Sequence, residues 1–200
     1  MKFPYGVMAW PLVYRLWEAP FVEEKFAPVL AHNDLSTSRR VLDLGCGPGI
    51  NTRHFSGADY LGVDINPRYI ESAERRHKRR FVASDAAEFV TSASERFDFI
   101  LVNSFLHHID SAGTAQILSN LRRLLTNDGH VHILDLVLPE KPSVSRFLAR
   151  ADRGRFSRPL STWNDIFGVS FLPLIFETYD LRRCGTTLWK MVYFKGRARP

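Results

Sequence analysis

With 45% hydrophobic residues over 200 positions and no repeat or low-complexity tract, the chain has apolar side chain enough for one packed domain, which excludes the disordered and fibrous classes. A formal net charge of +6 is basic without being extreme, so charge alone does not specify a nucleic-acid partner. Two cysteines, Cys46 and Cys184, with no Cys-x-x-Cys pair, exclude a disulfide framework and a zinc ribbon; reduced thiols, a cytoplasmic setting and no metal site are expected.

The first twenty residues, MKFPYGVMAWPLVYRLWEAP, are apolar enough to raise export. Pro4, Pro11, Arg15 and Glu18 interrupt the run and no small-residue cleavage pattern follows, so a signal peptide is not expected. No stretch reaches the length of a transmembrane helix. From about residue 40 strands and helices alternate. RRVLDLG reads as a short buried strand and ADYLGVDI as a second. Asn66-Pro67 reads as the cap and first position of a helix over PRYIESAERRHKR. RFVASDA is a third strand. RFDFILVNSF is a fourth, with Phe97, Phe99, Ile100, Leu101 and Val102 too continuously apolar for a strand with one wet face. Ile117, Leu118, Leu121, Leu124 and Leu125 mark a helix over 111–126; Asn127-Asp128-Gly129 ends it, and HVHILDLVL is the fifth strand.

This alternation predicts an α/β fold, a mostly parallel sheet with helices on both faces. Ligands in such sheets lie at the carboxyl ends of the strands. The tail differs: VSFLPLIFETYDL and TTLWKMVYFKG are joined by RRCG, a connection short enough to require antiparallel pairing, so the sheet ends with a reversed strand. Segments 1–38 and 139–168 stand outside the pattern as an N-terminal cap and a cap insertion. Between and after them lie a 39–138 core and a 169–197 strand pair, all in a single domain, 1–200.

VLDLGCGPG sets Gly45, Gly47 and Gly49 at every second position between a strand and a helix start. Missing side chains let the backbone turn sharply and approach a ligand, and the helix start offers unpaired N–H groups. The dinucleotide fingerprint G-x-G-x-x-G is not met, because Ile50 holds the place of its third glycine. Asp43, two residues ahead of the glycines, would repel a pyrophosphate and welcome a cationic amino-acid end.

Over residues 40–137, in order and spacing, the chain resembles the class I S-adenosylmethionine-dependent methyltransferases. VLDLGCGPG is close to that family's first motif, GVDIN matches the acidic end of its second strand, ASDAAEF its third, and FDFILVNSFLHHID its fourth; LRRLLTNDGHVHILD looks like the helix-turn-strand that follows. The resemblance implies a doubly wound, mostly parallel seven-stranded sheet with a reversed final strand, and S-adenosyl-L-methionine as cofactor. It implies that Gly45, Gly47 and Gly49 line the methionine part and that Asp43 faces its amino group. Asp64 would accept both ribose hydroxyls and Ile65 would pack on the adenine. Asp85, with Ala86 beside it, would accept from the adenine amino group, and Asn103 would lie near the methionine portion.

Methyl transfer from a sulfonium is an in-line displacement, for which alignment and desolvation are the main demands. A base is needed only where the acceptor keeps its proton. NSFLHHID offers His107 and His108 as candidate catalytic residues, with Asp110 to orient either; the plainer reading is that one packs and the other caps the next helix. NSFL stands where base-methylating enzymes place N-P-P-Y or D-P-P-Y, and neither cysteine is placed for pyrimidine chemistry, so nucleic acid is not expected as substrate. The expected activity is methylation, of oxygen before nitrogen, on a small organic molecule or lipid.

Two basic clusters, Glu74–Arg80 and Arg146, Arg150, Arg153, Arg155 and Arg158, read as solvated helix faces or as surfaces for anions. Trp10, Tyr14, Trp17 and Phe21 recur at roughly helical spacing, and Phe147, Leu148 and Phe156 are interleaved with arginines. Together these segments read either as a lid over an apolar pocket with a cationic rim or as a contact with an anionic membrane surface. A third reading is a non-catalytic domain that keeps cofactor binding for regulation.

Overall fold

Alternate residues of the central strands are buried on opposite sides, as a sheet covered on both faces demands. The computed structural model describes residues 21–92, 95–152 and 155–200. Trp10, Tyr14, Trp17 and Arg153 lie outside the described residues.

Seven strands form one sheet in the order β3-β2-β1-β4-β5-β7-β6. β1 (Arg40–Leu44), β2 (Asp59–Asp64), β3 (Arg80–Ala83), β4 (Phe97–Asn103) and β5 (Leu125–Leu136) pair in parallel. β7 (Thr186–Ala198) runs antiparallel to both β5 and β6 (Phe171–Arg183), so the reversed strand is an inner one with both edges paired. Cys184 and Gly185 turn the β6–β7 hairpin at φ +49° and +77°. Two left-handed residues in succession match the twist of the flanking strands, which is why so short a connection suffices.

Among the described residues five α-helices cover the sheet: α1 (Val22–His32), α2 (Pro67–Arg76), α3 (Ser111–Leu124), α4 (Val144–Ala151) and α5 (Leu160–Ser170). On one face Leu42, Leu44, Val63, Ile100, Val102 and Ile133 meet Ile117, Leu118 and Leu121 of α3 and Trp163 and Phe167 of α5. On the other, Val41, Tyr60, Phe99 and Leu101 meet Phe26 and Val29 of α1 and Ile70 and Ala73 of α2. The expected cap of α2 is present: Asn66 Oδ1 accepts from the Arg68 amide at 3.1 Å, with Pro67 in the first helical position.

Two local features differ from the sequence expectation. α3 ends at Leu124, because Leu125 already pairs with Phe97; residues 126–129 then bulge out before His130 pairs with Phe99, so the Asn127-Asp128-Gly129 turn lies within β5. The 139–168 segment also divides in two. α4 lays Ala149 against Leu136, Leu181 and Met191. α5 instead belongs to the main core: Trp163 and Phe167 are fully buried and the Trp163 indole N–H donates to the Leu136 carbonyl at 2.9 Å. Truncating either ring to alanine costs on the order of 3–5 kcal/mol in such a setting. Among the described residues no helix is long and apolar enough to cross a membrane.

Candidate functional site

The carboxyl ends of β1, β2, β4 and β5 lie side by side, and the sheet register brings their polar residues together. At the end of β1, Asp43 is fully buried. Its Oδ2 accepts from the Tyr60 hydroxyl at 2.7 Å and from Asn51 Nδ2 at 3.4 Å, while Oδ1 is buried with no hydrogen-bond partner among the described residues. Burial pushes the carboxyl up to about 7 against the opposing pull of those two donors. A buried oxygen without a partner is costly, and in a functional site a bound group can supply that partner.

The glycine loop follows this carboxylate in the chain, and the Gly45 and Cys46 amides donate to the Val63 carbonyl at 2.8 and 3.0 Å. Gly45, Gly47 and Gly49 have φ of +77°, +53° and +79°. At Gly45 the requirement is twofold, since a Cβ there would fall into the Phe105 ring. The Gly47 amide donates to Asp64 Oδ2 at 2.9 Å and the Asn66 amide to Asp64 Oδ1 at 2.8 Å. Asp64 is thereby fixed at the end of β2 with lone pairs on both oxygens to spare; its burial raises its pKa. Ile65 follows it, a large apolar side chain left 45% exposed. Asp85, beyond β3, is exposed and accepts from the Ala87 amide at 2.8 Å, with Ala86 half-buried beside it. At the end of β4, Asn103 Oδ1 accepts from the Ser104 hydroxyl at 3.0 Å, and Ser104 holds φ +60°, unusual for a residue with a side chain.

His107 and His108 sit on a single helical turn after β4, their ring centroids 4.1 Å apart. His107 is buried; His108 is half-buried. His107 Nδ1 lies 2.6 Å from Asp135 Oδ1 at the end of β5, and Nε2 lies 3.2 Å from Asp152 Oδ2 just past α4. Burial alone would depress the imidazole, but Asp135 and then Asp152 override it and raise it to about 9. Asp110 does not orient either histidine by any hydrogen bond to its ring; it caps α3, accepting from the Gly113 amide at 2.8 Å. The orienting group is Asp135, which sequence reasoning missed.

The segment after α4 is fastened over this turn. Arg158 is buried and donates to the Leu106 carbonyl at 3.2 Å, the Ile109 carbonyl at 2.8 Å and Thr114 Oγ1 at 3.4 Å, with its guanidinium 4.8 Å from the Trp163 ring. The Phe156 amide donates to the His107 carbonyl at 3.0 Å. Arg158 is therefore no part of a solvated basic face. Of the Glu74–Arg80 cluster, Glu74, His77, Lys78, Arg79 and Arg80 line, with Asp59 and Tyr60, an open hollow of about 440 Å³ at the amino-terminal ends of β2 and β3, and the His77 ring stands against Gly49, 3.0 Å from where a Cβ would lie.

A family model described as a methyltransferase domain matches residues 41–129. The chain is 34% identical over 107 residues to trans-aconitate 2-methyltransferase of Paracidovorax citrulli, covering 50% of this chain and 40% of that protein. It is 33% identical over 96 residues to the ubiquinone biosynthesis O-methyltransferase of Cereibacter sphaeroides, covering 45% and 38%. The chain thus spans about half the length or less of these two relatives. Among solved structures, the N-methyltransferase NodS of Bradyrhizobium japonicum in complex with S-adenosyl-L-homocysteine superposes with a TM-score of 0.71 at 19% identity, over 90% of this chain and 89% of NodS. The PH0226 protein of Pyrococcus horikoshii superposes with a TM-score of 0.71 at 17% identity, over 91% and 92%. At such identities the structures share the fold.

Proposed function

We propose that this chain, a member of the class I S-adenosylmethionine-dependent methyltransferases, transfers the methyl group of S-adenosyl-L-methionine to an oxygen of a small organic or lipid-linked acceptor. The observation that carries the reading is Asp43: a buried carboxylate with an oxygen unpartnered among the described residues, followed by three left-handed glycines and near a second fixed carboxylate. A cationic amino-acid end answers Asp43 Oδ1, and a ribose diol answers the spare lone pairs of Asp64. Neither demand suits a pyrophosphate. The cofactor supplies the activated methyl; what this chain supplies is its orientation and the exclusion of water.

In that reading Gly45, Gly47 and Gly49 pass under the methionine portion and Asn103 stands at its side. Ile65 covers one face of the adenine, with Asp85 and Ala86 at its edge. Asp85 must then release or share its bond to the Ala87 amide. His107 is held between the carboxylates of Asp135 and Asp152, which raise its pKa; His108 is the more accessible ring. The trans-aconitate relative supports a small organic acceptor, and the ubiquinone biosynthesis O-methyltransferase supports oxygen as its atom.

A second observation favours a lipid-linked acceptor. α4 presents Phe147, 71% exposed, and Val144, 51% exposed, beside Arg150. The test of the main reading is calorimetry: S-adenosylmethionine or its demethylated product binds and NAD does not. Tight NAD binding with neither adenosyl compound bound overturns it.

A further inference from the structure

We propose that His107, His108 and Asp152 form a binding site for a first-row transition-metal dication of the zinc type, against the expectation from the sequence that the chain holds no metal. One ligand atom from each residue lies within 4.8 Å of the others, on two different elements: the turn after β4 and the residue that ends α4. His107 Nε2 and Asp152 Oδ2 stand 3.2 Å apart. Two ligands at zinc's bond lengths of 2.0–2.2 Å in tetrahedral geometry stand about 3.3–3.6 Å apart, so this pair needs only a few tenths of an ångström of movement to close on an ion. The two imidazole rings already lie side by side, with centroids 4.1 Å apart.

An independent feature points the same way. His107 Nδ1 is held at 2.6 Å by the fully buried Asp135, which also accepts from the Leu106 amide at 2.9 Å and the Leu136 amide at 2.7 Å. Asp135 is therefore immobile, fixes the ring with Nε2 directed at Asp152, and raises the basicity of that nitrogen. A carboxylate behind a histidine in this way is the usual support of a metal-binding imidazole. Two imidazoles and one carboxylate suit zinc, iron or cobalt and not magnesium or calcium, which take oxygen ligands. Three protein ligands leave a coordination position open, as in catalytic sites.

The use of the site rests on the methyl-transfer reading. The turn that holds it begins at Phe105, whose ring packs over Gly45. There the open position takes an acceptor hydroxyl as its oxygen anion, the proton passing to water. That oxygen bonds to the methyl carbon as the carbon–sulfur bond breaks and its electron pair remains on sulfur.

The site itself is tested without cofactor or acceptor, so its failure leaves methyl transfer standing and the reverse. Chelator-treated protein in a Cys184→Ser background, which removes the exposed thiol, is titrated with Co2+ alone and followed by visible d–d absorption. The expected result is one Co2+ per chain, displaced by Zn2+ and indifferent to Mg2+. His108→Ala and Asp152→Ala, at half-buried positions and checked by thermal melting, each weaken binding at least tenfold; Asp135→Asn weakens it about 10–100-fold. Absence of a cobalt spectrum, or cobalt binding unchanged in either ligand variant, overturns the proposal.

Discussion

The imidazole of His107 and the carboxylate of Asp135 are locked together at 2.6 Å, both buried, across 28 residues of sequence. In the folded, metal-free protein burial would depress His107, but this pairing together with Asp152 raises it from 6.5 to about 9. The group's contribution to stability is then complete below pH 6.5 and is lost as pH rises through 9, amounting to about 3 kcal/mol across that interval. Urea unfolding of chelator-treated protein at pH 6, 7.5 and 9.5 should show the decline, and His107→Gln should flatten it. A wild-type stability that holds level over that range would mean the imidazole is neutral.

Asp43 gives the opposite dependence in ligand binding. Its carboxyl sits at about 7 in the free protein because burial disfavours the charge. An ammonium placed at Oδ1 favours the carboxylate, so binding expels the proton below pH 7. Affinity for S-adenosylmethionine should weaken by up to roughly tenfold per pH unit between pH 7 and 5.5. Asp43→Asn should bind more weakly and lose the dependence. Calorimetry in two buffers of different ionisation enthalpy measures the proton released; none released at pH 6.5 would place the amino group elsewhere.

Asp64→Ala removes an acceptor for two hydroxyls and the anchor of the Gly47 and Asn66 amides. The expected loss in cofactor affinity is on the order of 1.5–3 kcal/mol per charged hydrogen bond. Unchanged affinity in a folded variant would show that the adenosine does not lie at the end of β2.

Arg158→Met keeps much of the side-chain volume and removes two hydrogen bonds to the Leu106 and Ile109 carbonyls and one to Thr114 of α3. The Leu106 and Ile109 carbonyls then lose their charged partner. The cost should be about 1–3 kcal/mol for each carbonyl left unsatisfied, and hydrogen exchange should rise over 144–152 and 106–110 together. Faster exchange in one segment alone would mean that the two are not fastened to each other through this residue.

Phe147→Ser with Arg150→Glu alters only the exposed side of α4. Cofactor affinity should be unchanged, while co-sedimentation with anionic phospholipid vesicles should fall. If the wild-type protein does not sediment with such vesicles at low salt, the exposed Phe147 is not a lipid contact.

What the sequence disclosed follows the physics of local signals. Asp43, the three glycines and Asp64 each stand where an apolar run stops, and a strand end followed by a turn is a local pattern; their placement could be read directly. Asp135 could not be, because it lies inside HVHILDLVL, and its meaning arises only when β5 pairs with β4 and lifts it beside His107. Asp110 was the nearer carboxylate in sequence, but proximity along the chain favoured the helix cap over the histidine. Tyr60 read as one more strand aromatic, and its hydroxyl reaches Asp43 only through the β1–β2 register. Arg158 was read with its neighbouring arginines, since a cation stabilised by carbonyls carries no mark in the sequence. α5 was hidden for a similar reason: Trp163 and Phe167 gave no sign of which surface they would meet.

The placement of β7 between β5 and β6 fixes an order of events during synthesis. Until β7 has been made, β5 has no neighbour on that side, and β6 has nothing to hold it to the sheet. A nascent chain therefore carries an open, apolar strand edge next to the half-built site for as long as translation takes to reach residue 198. Until β7 pairs, the β5 edge is open to misassociation, and a break within β7 would leave the glycine loop intact on a sheet without the strand that joins β5 to β6.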